Sequence, residues 1–196
     1  MLDLFSGLGG ASEAFMEADD WAVQRIENNP DLGWVPNTQI KNVQELVKPY
    51  HLPSGVDLIW ASPPCLDFSS AFSAPGPIAA RAGLDFEPDM EPLQAAKRII
   101  DEVQPKYWVI ENVRGAIPHF EELLGKPRQI IKERWFLWGN FPLLCVEPDW
   151  RVHPHHKERI WGTEHLAMNK RSLIPLEISE AMLSAVNNQT VLSDWV

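Results

Sequence analysis

Only two of the 196 residues are cysteine, Cys65 and Cys145, and no Cys-x-x-Cys pair occurs. That scarcity excludes a disulfide-built scaffold and points to a reducing compartment. It also removes the usual anchor of a zinc site, so His153, His155, His156 and His165 are expected to hold no metal. No apolar run is long enough to cross a bilayer and the opening residues do not resemble a signal peptide. A cytoplasmic or nucleoid-associated protein that avoids membranes is therefore expected. Positive charge is short as well, with 17 Lys and Arg against 27 Asp and Glu, a formal net charge of −10. Acids gather at Glu13, Glu17, Asp19 and Asp20 and again at Asp85, Glu87, Asp89 and Glu91. Arg128, Lys132, Arg134, Arg151, Lys157, Arg159, Lys170 and Arg171 lie in the second half. A nucleic-acid partner would have to be met by a basic face built from that half, weakly and in a salt-sensitive way.

What the chain does have is a set of apolar runs that end in polar residues. Val56 to Ala61 reads as a buried strand and runs into Ser62-Pro63-Pro64-Cys65, a thiol on a proline-stiffened loop where open α/β sheets carry their chemistry. Leu2 to Phe5 is a second such strand, broken by Ser6-Gly7-Leu8-Gly9-Gly10. Ala11, Ala14, Phe15 and Ala18 then mark one helical face, so the glycines open onto a helix N-terminus suited to a polar or anionic group. The spacing lacks the third glycine of the dinucleotide fingerprint, because Ser12 stands there. Trp21 to Ile26 reads as the next strand and delivers Glu27, followed by Asn28. An acid at that place can accept two hydrogen bonds from ribose hydroxyls. Lys106 to Val113 is preceded by helical spacing at Leu93, Ala96, Ile100 and Val103, and it ends in Glu111-Asn112-Val113. Glu111 and Cys65 are then expected on one rim of one sheet. The pattern is that of an α/β, Rossmann-like, doubly wound and mainly parallel fold, in a single domain over residues 1–196.

Three blocks, Asp3-Leu4-Phe5-Ser6-Gly7-Leu8-Gly9-Gly10, Ser62-Pro63-Pro64-Cys65 with Phe68-Ser69, and Glu111-Asn112-Val113, resemble in order and interval the signatures of the DNA cytosine-5 methyltransferases. The resemblance implies S-adenosylmethionine as cofactor, S-adenosylhomocysteine as product, and a flipped cytosine in DNA as methyl acceptor. Cys65 would be the nucleophile that adds to C6, with Glu111 holding the cytosine edge and Arg134 contacting the base. Phe5, Ser6, Gly7, Leu8, Gly9, Gly10, Glu27, Asn28, Asn42, Val43 and Pro64 would line the cofactor site. Asn112 would order the loop around Pro64 and Cys65, and a cation is expected near the thiol.

Several features depart from the family pattern. Gln129, Lys132 and Arg134 only approximate its arginine block, placed on a sixth strand at Arg134 to Trp138. Asn42 stands where its adenine-contacting acid is expected, on the loop after the second helix. Its C-terminal asparagine block has no better counterpart than Asn187-Asn188-Gln189-Thr190, after a final helix running from Pro175 through Val186. Residues 139–174 are too few for a target-recognition domain, so a minimal, phage- or prophage-like member is indicated. Ser69 to Pro88 reads as an aperiodic lid over an extruded base. Transfer of the methyl group to tRNA, and a cofactor-binding module with impaired chemistry, remain as alternatives.

Overall fold

The computed structural model describes residues 1–48, 51–146 and 166–188. Seven strands form one sheet: β1 (Leu2–Leu4), β2 (Gln24–Glu27), β3 (Thr38–Ile40), β4 (Leu58–Ala61), β5 (Tyr107–Asn112), β6 (Gln129–Ile131) and β7 (Trp135–Asn140). Their spatial order is β3-β2-β1-β4-β5-β7-β6, parallel throughout except that β7 runs antiparallel to both its neighbours. The expected doubly wound, mainly parallel architecture is what the chain forms. Central strands covered on both faces need apolar residues at every position, and β1 and β4 are buried along their whole length.

Side chains alternate between two cores. Leu2, Leu4, Ile59, Ala61 and Ile110 face α3 (Glu91–Val103) and α4 (Ile117–Leu124), with Leu93, Ala96, Ile99, Ile100 and Phe120 packed on them. Leu58, Trp60, Tyr107 and Val109 face the other way, toward Phe15 of α1 (Glu13–Glu17) and Ile178, Met182 and Val186 of the last helix, Leu176–Asn187. Two further helices, α2 (Pro75–Ala82) and α5 (Ala167–Arg171), lie outside these layers, which makes the last helix α6. Of the four tryptophans in strand-like runs, Trp60, Trp135 and Trp138 are core residues and Trp108 is partly buried against the core.

Three details differ from the sequence expectation. The second strand begins at Gln24, because Trp21 closes a turn onto the Ala18 carbonyl and packs edge-on against Phe15 at 4.8 Å. Arg134 sits in the turn of a β6–β7 hairpin rather than inside a sixth strand, and Trp135 to Trp138 begin the seventh. The stretch Ser69 to Pro88 contains a formed helix, α2, closed by Gly83 in the left-handed conformation at φ 68°.

The strand order reverses between β1 and β4. Ligands of such sheets bind in the crevice that opens there, beyond the carboxyl ends of the strands. The glycine loop leaves β1 and the Cys65 loop leaves β4, so the two motifs flank that crevice from either side.

Candidate active site

The glycine loop is held by the chain's own polar groups. Gly7 N–H donates to Glu27 Oε2 at 2.8 Å, while Asn28 and Asn29 N–H both donate to Oε1 at 2.9 Å. A carboxylate offers about four acceptor positions, so one remains for a ribose hydroxyl where the sequence suggests two. Beneath the loop lies Arg25, fully buried on β2. Its guanidinium donates to Ser12 Oγ, the Gly9 carbonyl, the Pro36 carbonyl and Glu13. Ser12 Oγ in turn donates to Asp3 Oδ2 at 2.6 Å, which explains the serine in the third glycine position. Gly9 adopts φ 81°, and a Cβ there would stand 2.4 Å from the guanidinium carbon. Burial pushes the Asp3 carboxyl up to about 6, opposed by the Ser12 bond and the Arg25 charge. Sequence alone hid this network, since an arginine in a strand reads as an exposed charge.

Asn42 follows β3 rather than a helix, because only a 3-10 turn, Pro30–Leu32, separates β2 from β3. Its Oδ1 accepts from Gln44 N–H at 3.1 Å and keeps one acceptor position. Val43 is 2% exposed and its side chain packs in the α3-side core. Phe5 takes φ 57° at the start of the loop and packs on the same core, whereas Leu8 packs toward Leu32, Val35 and Leu166.

The catalytic corner forms where β4 and β5 end. Their parallel register pairs Trp60 with Val109 and Ala61 with Ile110, so the next step sets Ser62 beside Glu111. Glu111 stands close enough for its charge to act on the Cys65 thiol, which places the two at one corner. Burial pushes Glu111 up to about 7, while the neighbouring Ser62 and the Arg134 charge pull it back. Burial and then Glu111 raise the Cys65 thiol, so the cation expected beside the sulfur acts on the carboxyl instead. Arg134 is exposed, donates to the Arg171 carbonyl at 3.4 Å and lies over the Trp135 ring. Asn112 Nδ2 donates to the Pro63 carbonyl at 3.0 Å, tying β5 to the proline loop while Pro64 stays exposed. Both cysteines are free thiols.

The cover over the glycine loop is residues 166–174, not the asparagines expected there. A Cβ on Gly10 would stand 2.2 Å from the Ile174 carbonyl, and one on Gly7 would meet the Asn169 amide at 4.0 Å. Asn187 instead accepts from Trp21 Nε1–H in a cleft at the opposite rim, with Met1 and Asp57. Gln189 and Thr190 lie outside the described residues, as do residues 147–165 with the four-histidine stretch and Arg151, Lys157 and Arg159. Among the described residues no cluster of metal-ligating side chains occurs, and no helix is long and apolar enough to cross a membrane.

A glycine-cornered cleft with a strand-end thiol and a protonatable carboxyl defines a Rossmann-like group-transfer domain. The C-5 cytosine-specific DNA methylase family matches residues 1–133, and the chain belongs to that family. A Frog virus 3 protein named "Probable DNA (cytosine-5)-methyltransferase" is 26% identical over 173 residues, covering 82% of this chain and 69% of that one. Among solved structures, a DNA modification methyltransferase encoded within an E. coli prophage aligns at TM-score 0.45 and 20% identity, over 71% of this chain and 45% of that one. The S. pombe Dnmt2 methyltransferase aligns at TM-score 0.43 and 16% identity, over 88% and 57%. The chain thus spans about half the length of the solved structures it matches.

Proposed function

We propose that this chain is a DNA (cytosine-5) methyltransferase that transfers a methyl group from S-adenosylmethionine to C5 of a flipped cytosine through a Cys65–C6 bond. The observation that carries the reading is the meeting of Cys65 and Glu111 at adjacent strand ends, beside the glycine loop. Family membership and the viral relative support it.

The residues present fit the cofactor. Ser6 Oγ is buried at the glycine loop without a hydrogen-bond partner, and Glu27 and Asn42 each keep an acceptor position. Phe5 to Gly10, Glu27, Asn28 and Asn42 would hold it, and when bound it supplies an electrophilic methyl group. Cys65 adds as thiolate to C6, and the displaced electron pair moves through C5 and C4 to N3. Glu111, titrating near neutrality, can pass its proton to N3 as that charge develops. Protonating Glu111 also removes the negative charge that holds the thiol up, so the two proton states favour one another. C5 then has enamine character and takes the methyl group. Loss of the C5 proton with rupture of the C6–S bond restores the ring and the thiolate, and return of the N3 proton to Glu111 leaves neutral 5-methylcytosine.

DNA carrying 5-fluorocytosine cannot lose a proton at C5 and so traps the adduct. With cofactor present, wild-type protein is expected to form a denaturant-stable complex with that DNA and Cys65→Ser none. An adduct on another residue, or none with wild type, overturns the assignment. Tritiated methyl transfer to DNA against tRNA distinguishes the substrates.

A further inference from the structure

We propose that Arg114 is a contact for the DNA backbone whose place is held in the free protein by the Glu133 carboxylate, so that binding exchanges one anion for another. The inference rests on the methyltransferase reading and adds a surface to it. Strand β5 ends at Asn112, parallel to β4 and therefore at the rim from which the Cys65 loop departs. Strand β7 returns antiparallel with Phe136 opposite Asn112, so the turn in front of it stands beyond that same rim. Arg114, two residues past β5, meets the turn there. Its guanidinium donates to Glu133 Oε2 at 2.9 Å and lies 5.9 Å from the centre of the Phe136 ring. Arg134 of the same turn donates to the Arg171 carbonyl at 3.4 Å, which brings the end of α5, with Lys170 and Arg171, alongside. In a chain of net charge −10, cations from three separate segments thus converge at the border of the proposed active site. A cytosine drawn out to Cys65 stays joined to its flanking phosphates, so that border is where the strand's charge has to be met.

The turn itself marks Glu133 as more than a connection. Arg134 N–H donates to the Ile131 carbonyl at 3.1 Å to close it, and its two central residues, Lys132 and Glu133, take φ 48° and 53°. A two-residue hairpin of that kind favours Asn-Gly, since a Cβ crowds the backbone in the left-handed region. Strain kept where glycine would relieve it points to a use for the side chains. The Glu133 side chain goes to Arg114, and it does so at the surface, the two being 83% and 65% exposed. An ion pair in water is weak, so Glu133 holds the guanidinium in place without competing strongly for it. A phosphate offers the same planar fork two oxygens, and its neutralisation releases counterions, which favours the exchange.

The test is fluorescence anisotropy of a labelled DNA duplex with the full-length protein over a series of salt concentrations. The slope of log affinity against log salt should shrink by about 0.9 in R114A and stay near wild type in R114K. E133Q should bind the duplex about two- to five-fold more tightly than wild type, because no ion pair then has to be broken. Added to R114A, E133Q should change nothing. An unchanged slope in R114A overturns the proposal, as does an equal gain from E133Q with and without Arg114, which would report net charge alone. Arg114-dependent binding of tRNA with none of DNA overturns it too. The 5-fluorocytosine trap separates the two readings. If wild type forms the adduct while the R114A slope is unchanged, the surface falls and the methyltransferase reading stands. If slopes and gains are as stated but wild type forms no adduct, the DNA contact stands and the methyltransferase reading falls.

Discussion

The glycine loop and the 69–88 segment, which the sequence reads as a lid, are held in opposite ways. The loop is tied by Glu27 from the side and Arg25 from below, and residues 166–174 press on it from above. The lid is fixed at its base, where Asp67 Oδ2 accepts from Asp89 N–H at 3.0 Å and Gly115 abuts the Phe68 carbonyl. Beyond that base no residue of α2 is buried, and Phe72 is 78% exposed with Arg81 stacked on its ring at 3.8 Å. A cofactor is small and always the same, so a pre-built pocket spares it the ordering of a loop. On the proposed function a duplex must first surrender a base, which suits a segment that takes its partners from the substrate. The contrast makes distinct demands on substitutions in each region.

The largest effect is expected at Arg25. Arg25→Met removes the donor to Gly9 and leaves the Asp3 carboxyl buried without its countercharge, which typically costs about 3–5 kcal/mol. Urea unfolding should show that loss, and cofactor affinity by calorimetry should fall with it. Gly10→Ala follows, because its Cβ would meet a backbone carbonyl that no rotamer change can move. Overpacking of that kind costs about 1–3 kcal/mol, and the KM for the methyl donor should rise more than kcat falls. A Tm within a degree of wild type together with unchanged cofactor affinity in both variants would dissolve the contrast.

Glu111 gives a smaller effect of opposite sign. Its folded-state pKa of about 7 lies above the ordinary 4.5, so the native state holds a proton that the unfolded chain has lost. Its contribution therefore declines as pH rises from about 4.5 to 7 and is flat above. Glu111→Gln should be more stable than wild type by about 2 kcal/mol at pH 8 and equal to it near pH 4.5, while losing methyl transfer. Asp3 declines likewise between 3.8 and about 6, so a residual slope should persist in the variant.

Much of this arrangement can be read along the chain, since each central strand is an apolar run that delivers its polar residue where the sheet ends. Cys65, Glu111 and the glycines announce themselves in that way. The edge strand β3 does not, being three residues with little burial. Arg25 is illegible for another reason, as its partners come from two separate segments, residues 9–13 and Pro36, and only folding brings them onto the β2 side chain. The cover is misread by length: α6 has 12 residues, about 18 Å of rise, which carries Asn187 from the cofactor rim to the opposite one.

The lid should give the smallest change in stability and the sharpest dependence on substrate. Ile78→Ser and Phe72→Ala remove apolar groups that touch little of the core, so unfolding free energies should stay within about 0.5 kcal/mol of wild type. Cleavage by a non-specific protease at limiting dose should begin between residues 69 and 88, because Asp67 and Asp89 secure only the ends of the excursion. Adding DNA together with S-adenosylhomocysteine should slow that cleavage, whereas S-adenosylhomocysteine alone should leave it unchanged. Equal cleavage rates with and without both ligands would mean that the segment does not close over substrate, and that the exposed face of α2 plays no part in holding the extruded base.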